Sequence, residues 1–462
     1  MRRIAFALIS VVCRASVTIP DLADLIPAAY WAADNAVVPD WGSGLGNPYP
    51  QIQGASVFTG QSVNQYQQQW NTTQNQTSVI VATGASLVQL SWSNIVKSGF
   101  GGSVSSATTR GLNSAIYIAN GSTGVFSFDN ITTHNGAIAM FSTDPGSNLT
   151  VSRSTLYSTG PVGHSLFSAV GGSVFADNIF QYSGGSMSSA FATGADGSTS
   201  AINSIAHTSG AGSPIFYGTG TNGYLFGQQD KGNADNSSIA VLDGSHTLSL
   251  SDCTLTGNGL GGIISTNTVN TAGALSNSTI QITNSWLATT GNAAPAFWVG
   301  NTNASIRLYY VRVQTASNVL VVANRSQLTP DYTDYGPSNS NATLTPGIAQ
   351  VDISYSNLQG DLVAYLGGWI TWILRTGSIW TGGTYPVDFG GSVSGVDVLI
   401  ATDCQWNLAH DSQVQNFWDE DSTLSNVFGN GFSIHYNTSA PLNGWLAGRT
   451  LPLQGGGTVL PY

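Results

Sequence analysis

One short phrase recurs along this chain about every 25 residues, and a repeat of that length restricts the fold more than any single motif does. Two apolar residues with one residue between them are followed by a polar pair, a further apolar residue and a hydroxyl-rich step. The phrase reads Phe126-Ser-Phe-Asp-Asn-Ile131, Leu149-Thr-Val-Ser-Arg-Ser-Thr-Leu156 and Val174-Phe-Ala-Asp-Asn-Ile179. It returns as Ala201-Ile-Asn-Ser-Ile205, Leu248-Ser-Leu-Ser-Asp-Cys-Thr-Leu255 and Ile280-Gln-Ile-Thr-Asn-Ser-Trp-Leu287. Later copies are Ile306-Arg-Leu-Tyr-Tyr-Val-Arg-Val313, Val351-Asp-Ile-Ser-Tyr-Ser-Asn-Leu358 and Val398-Leu-Ile-Ala-Thr-Asp-Cys-Gln-Trp406. The closing residues Ile131, Leu156, Ile179 and Ile205 lie 25, 23 and 26 apart, and Leu255 follows after 50, as two coils would give. A unit this short cannot bury its own apolar face, so successive copies must stack into a solenoid.

Within each copy the alternation has period two, the mark of a strand with one face inward. Helix formers are scarce: 8% of residues are charged, with one glutamate (Glu420) and two lysines (Lys97, Lys231). A surface helix needs such residues to face water, so an all-β chain is expected. Coils with three short strands and glycine-rich turns resemble the pectin-lyase-like superfamily from Ser78 to Leu408. That resemblance implies a right-handed parallel β-helix and is silent on activity. Propeller blades would need a period near 40.

Arg2 and Arg3 precede the apolar run Ile4 to Val12 and the small residues of Cys13-Arg14-Ala15, which predicts a secretory signal over 1–15. Prolines cluster in 16–77, read as an N-terminal cap over the first coil. The β-helix is expected over 78–435 and a tail over 436–462. Gly218 to Ser237 and Ser326 to Thr345 read as loops by composition. No later run approaches the roughly 18 apolar residues of a membrane helix, so a secreted protein without a membrane anchor is expected. Sequons stand at Asn71, Asn75, Asn120, Asn130, Asn148, Asn236, Asn277, Asn303, Asn324, Asn341 and Asn437, so a glycoprotein is expected. Cys253 and Cys404 both precede a closing core residue by two positions. The same slot in coils about six apart, roughly 29 Å, predicts two buried free thiols rather than a disulfide.

The net charge of −11 argues against nucleic acid and anionic membrane surfaces as partners. Glycoside hydrolysis needs paired carboxylates. No Asp-Asp occurs, and the sole Asn-X-Asp is Asn233-Ala-Asp235. Gly163-His164-Ser165 only approximates a Gly-His-Gly. A lyase acting on acidic sugars would need clustered basic residues, which are scattered here, and carboxylates to hold calcium. His134, His164 and His207 fall at positions of their coils that do not superpose, so no metal is expected. The acidic run Asp419-Glu420-Asp421, near His410-Asp411, reads either as a solvated loop or as a candidate catalytic acid at Asp419.

Aromatics concentrate in the C-terminal half. They either stack along the coils or line an apolar groove, in which case Trp298, Tyr310, Trp372 and Trp380 would bind substrate. Arg375, between Trp372 and Trp380, would then hydrogen-bond a ligand carbonyl, or it pairs with Asp388 or Asp361. The secretory signal, the sequons and the missing hydrolase motifs together resemble the secreted fungal hetero-Diels–Alderases of tropolone–sesquiterpenoid biosynthesis. That whole-chain resemblance implies a cofactor-free cycloaddition of apolar small molecules and carries over no catalytic residue. A polysaccharide-active or carbohydrate-binding β-helix, and a secreted adhesin or structural solenoid, are the alternatives. Oligomeric state is not legible.

Overall fold

The structure is a computed structural model that describes residues 52–99, 110–268, 276–326, 328–329, 344–388 and 391–462. It is an all-β parallel solenoid of about 15 turns. Each coil contributes strands to three stacks. The first stack begins with Gly54–Thr59 and Ser78–Thr83, the second with Ser62–Tyr66 and Leu87–Ser91, and the third with Gln69–Thr72 and Asn94–Lys97. Parallel pairing thus starts at Gly54, so the first coil falls inside the 16–77 segment expected as a cap. The expected signal, and the cap from 16 to 51, lie outside the described residues. Among the described residues no helix is long and apolar enough to cross a membrane.

The repeat phrase becomes columns of stacked side chains. The second stack points Leu90, Phe126, Val151, Ala176, Ala201, Gly227, Leu250, Ile282, Leu308 and Ile353 inward in one register. Small members of a column answer large neighbours. A Cβ on Gly227 would meet Phe216 Cζ at 2.8 Å, so glycine there makes room for the ring.

Between the second and third stacks most coils turn on one left-handed residue. Trp92, Phe128, Arg153, Asn178, Asn203, Asp252, Tyr310 and Tyr355 have φ between 47° and 58°. A non-glycine residue there costs about 1–2 kcal/mol. A hydroxyl ladder opposes that cost. The next position is Ser93, Ser154, Ser204, Ser285, Ser356 or Ser378, and its side chain accepts an N–H of the preceding coil. Gln68 N donates to Ser93 Oγ at 3.2 Å, Cys253 N to Ser285 Oγ at 3.0 Å and Val311 N to Ser356 Oγ at 2.9 Å. Asp129 and Asp230 stand in the same slot and accept from Ser93 N at 2.6 Å and Ser204 N at 2.8 Å.

Cys253 and Cys404 share this slot, buried and unbridged. They are five coils apart, through Ser285, Val311, Ser356 and Ser378, rather than six. The insertion before Leu358 lengthens one coil without adding a rung, so the separation is roughly 24 Å. The Gly218 to Ser237 segment is not a loop. It forms the strands Phe216–Gln228 and Lys231–Ala234, because its glycines pack under neighbours such as His246, whose ring a Cβ on Gly218 would meet at 2.8 Å. Most of the Ser326 to Thr345 insertion lies outside the described residues. The segment expected as a C-terminal tail closes the last coil. Ile434–Tyr436 pairs in parallel with Thr458–Pro461, and Trp445 donates to the Phe417 carbonyl at 2.9 Å.

Candidate functional site

The residues singled out in the sequence do not converge. Trp298 is fully buried on the outer side of the first stack, packed with Val241, Ile264 and Leu328. Trp372 and Trp380 are interior; Trp380 stacks on Trp406 at 4.7 Å, and Trp372 packs against Trp380 at 5.5 Å with its plane tilted by 55°. None of the three offers a face to a groove. Tyr310 is exposed, but its ring lies 4.8 Å from Tyr355 with planes 8° apart, so the two rings cover each other. Arg375 pairs with neither Asp388 nor Asp361; its Nε donates to Asp352 Oδ1 at 2.8 Å across adjacent coils. Asp419 is sealed. Burial pushes its carboxyl up to about 6 while Oδ1 accepts from Asp421 N at 2.9 Å and Asn426 Nδ2 at 3.2 Å.

Among the described residues His207 and His410 each meet a carboxylate, and each contact is tied into the scaffold. His207 Nε2 is 2.8 Å from Asp235 Oδ2, and the other oxygen of Asp235 accepts from Asn233. The Asn-X-Asp motif is therefore a local pair at a strand end. His410 Nε2 is 3.0 Å from Asp361 Oδ1 and Nδ1 is 2.7 Å from the Asp411 carbonyl, which commits both ring nitrogens. Tyr385 stacks on that imidazole at 4.1 Å. Among the described residues no three metal-ligating side chains cluster.

The outer faces of the first two stacks differ in kind. The first carries a register column of Tyr117, Phe141, Phe167, Ala192, Tyr217, Val241, Ile264 and Trp298. Most of it is buried, so that sheet is apolar on both sides. The second stack is open to water. Its first outward column reads Thr123, Asn148, Ser173, Ser198, Tyr224, Thr247 and Thr279. The central column reads Val125, Thr150, Phe175, Ser200, Phe226, Ser249 and Gln281, and the third Ser127, Ser152, Asp177, Ile202, Gln228, Ser251 and Thr283. Over these coils Asp177 is the single charged group in the three columns; farther along, the central column continues through Arg307 and Asp352 and the third reaches Arg375. Two aromatics on this face, Phe175 and Tyr224, are 40% and 39% exposed. Sequence reasoning passed over them, although Phe175 sits between the inward Val174 and Ala176 and its phase points it to water.

The sequons fall on both sides of the burial divide. Asn71, Asn75, Asn120, Asn130, Asn148, Asn236 and Asn277 are exposed, and Asn303 and Asn437 half-buried. Asn341 lies outside the described residues. Asn324 is fully buried, donates to the Tyr365 hydroxyl and accepts from Ser326 Oγ at 2.6 Å. A glycan on Asn324 is incompatible with that packing. In protein made through a glycosylating secretory route, glycopeptide mass spectrometry is expected to find Asn324 bare and the exposed asparagines modified; a glycan on Asn324 in folded protein contradicts its placement.

The sequence matches no model of a known protein family, and no curated protein matches it.

Proposed function

We propose that this protein is a secreted solenoid that binds neutral polysaccharide through the outer face of its second strand stack. The observation that supports this reading is the open sheet of hydroxyl and amide side chains between Thr123 and Thr283, which carries exposed aromatics and one charge, Asp177. A flat array of donors and acceptors suits the equatorial hydroxyls of a sugar chain, and aromatic rings suit its C–H faces. The scarcity of charge disfavours acidic glycans, which would call for basic side chains. The acid–imidazole pairs are bound up in the scaffold, so the reading is of binding rather than hydrolysis. Secretion, supported by the leader-like start and the exposed sequons, would bring the face to extracellular glycans. The cycloaddition suggested by whole-chain resemblance draws its groove from Trp298, Trp372 and Trp380, which are buried, and from Tyr310, which stacks on Tyr355, and no specific observation favours it.

The test is depletion of the purified protein from solution by insoluble cellulose, chitin, β-1,3-glucan and pectate. Retention is expected on a neutral polymer and not on pectate. It should persist at high salt, because screening weakens charge pairs but leaves stacking and hydroxyl contacts in place. Failure to bind every neutral polymer would remove the reading.

A further inference from the structure

Several exposed aromatics line this solenoid, and most have one face taken up by a neighbouring ring. Trp92 and Phe128 lie on consecutive left-handed turns with centroids 4.5 Å apart and planes 2° apart, and Arg153 covers Phe128 at 5.4 Å. Tyr310 and Tyr355 repeat that arrangement. Rings on adjacent coils are one rung apart, which is stacking distance, so they cover one another.

Phe175 and Phe226 are placed differently. Both belong to the central outward column of the second stack, but Ser200 stands between them. Two rungs separate them, roughly 9.6 Å, too far for contact. Tyr224 lies beside Phe226 on the same strand, with centroids 6.5 Å apart and planes 12° apart. Ser198 and Ser200 fill the rung between and offer hydroxyls.

Resting on the function proposed above, we propose that Phe175, Tyr224 and Phe226 form the anchoring subsite for a straight β-1,4-linked neutral glycan laid along the solenoid axis. In such a chain alternate sugars present the same face, so an aromatic contact can recur once per disaccharide. Two coil rises are close to that span. One sugar would stack on Phe175, the next would meet the Ser198 and Ser200 hydroxyls, and the third would reach Phe226 and Tyr224. A β-1,3 chain curves away from this line, and a uronic acid chain would set its carboxylates against Asp177.

The test compares binding of cellohexaose, chitohexaose and laminarihexaose by calorimetry. Phe175→Ser and Phe226→Ser install a residue type that the neighbouring coils already carry in this column, so they are compatible with folding; unchanged melting temperature confirms it. The parent is expected to bind a β-1,4 hexasaccharide, and each substitution to weaken that binding about tenfold. Trp92→Ala should leave it unchanged. Wild-type affinity in the folded double variant overturns the subsite while the neutral-polysaccharide reading stands. Binding of laminarihexaose alone overturns the chain class. Loss of all neutral binding in the parent removes the wider reading and this subsite with it.

Discussion

Trp380→Ala is expected to destabilise the fold by about 3–5 kcal/mol and to leave glycan binding by the folded fraction unchanged. Trp380 is wholly buried, 4.7 Å from Trp406 in near-parallel stacking, and donates from Nε1 to the Gly360 carbonyl at 2.8 Å. Trp406 repeats the pattern one coil on, donating to the Gly382 carbonyl at 3.0 Å. Gly382 is close fitting, since a Cβ there would meet Trp380 Nε1 at 2.8 Å. Truncation to alanine therefore opens a cavity, takes the stacking partner from Trp406 and a packing partner from Trp372, and leaves a buried carbonyl without its donor. Coils contact only their neighbours, so the loss falls on the two rungs that carry Trp372 with Trp380 and Trp406, and it weakens the coupling of the C-terminal coils to the rest. Thermal unfolding, followed alongside polysaccharide retention at a temperature where the variant is folded, separates the two roles. A variant that melts like its parent but no longer binds would return Trp380 to a ligand groove.

The interior position of Trp380 could have been read from the sequence. It precedes Trp406 by 26 residues, one period, and Trp406 already stands in the closing core slot of its copy. Trp372 likewise pairs with Val351 and Val398, each the opening apolar residue of its copy. The repeat register thus carried the stacks, the thiols and these tryptophans together. Trp298 was not legible in that way, because its burial depends on Leu328, brought over it by a segment distant in sequence. Gly218 to Ser237 was misread because glycine and asparagine are turn residues locally, whereas here Gly227 makes space for Phe216 of its own strand and Gly218 for His246 of the next one. The outer face of the second stack was half-legible. The phase of Phe175 points it outward, but its distance from Phe226 follows from coil pairing and not from chain separation.

Asp230→Ser is expected to raise stability above pH 7 and to flatten its dependence on pH between about 4 and 7. Asp230 is 1% exposed in the slot where most coils place serine. One oxygen accepts from Ser204 N at 2.8 Å, and the other is buried with no partner. Burial pushes this carboxyl up to about 7 against an unfolded value of 3.8, in spite of hydrogen bonds from Ser204 and Gln228 that lower it. The thiol of Cys253 faces it and is itself pushed up to about 12, first by burial and then by the nearby Asp230 charge. The folded state therefore holds its proton more tightly than the unfolded chain. That contribution is fully present below pH 3.8 and is lost as pH rises through about 7. The difference corresponds to about 4 kcal/mol in order of magnitude. Serine keeps an acceptor for Ser204 N and carries no titrating proton. Melting temperatures from pH 4 to 8 should then diverge from the parent only toward the alkaline end. Asp129, in the same slot and pushed up to about 6 by burial, and Asp419, also near 6, retain part of the slope. Parallel melting curves for parent and variant across that range would show that the ladder carboxyl does not hold its proton in the fold.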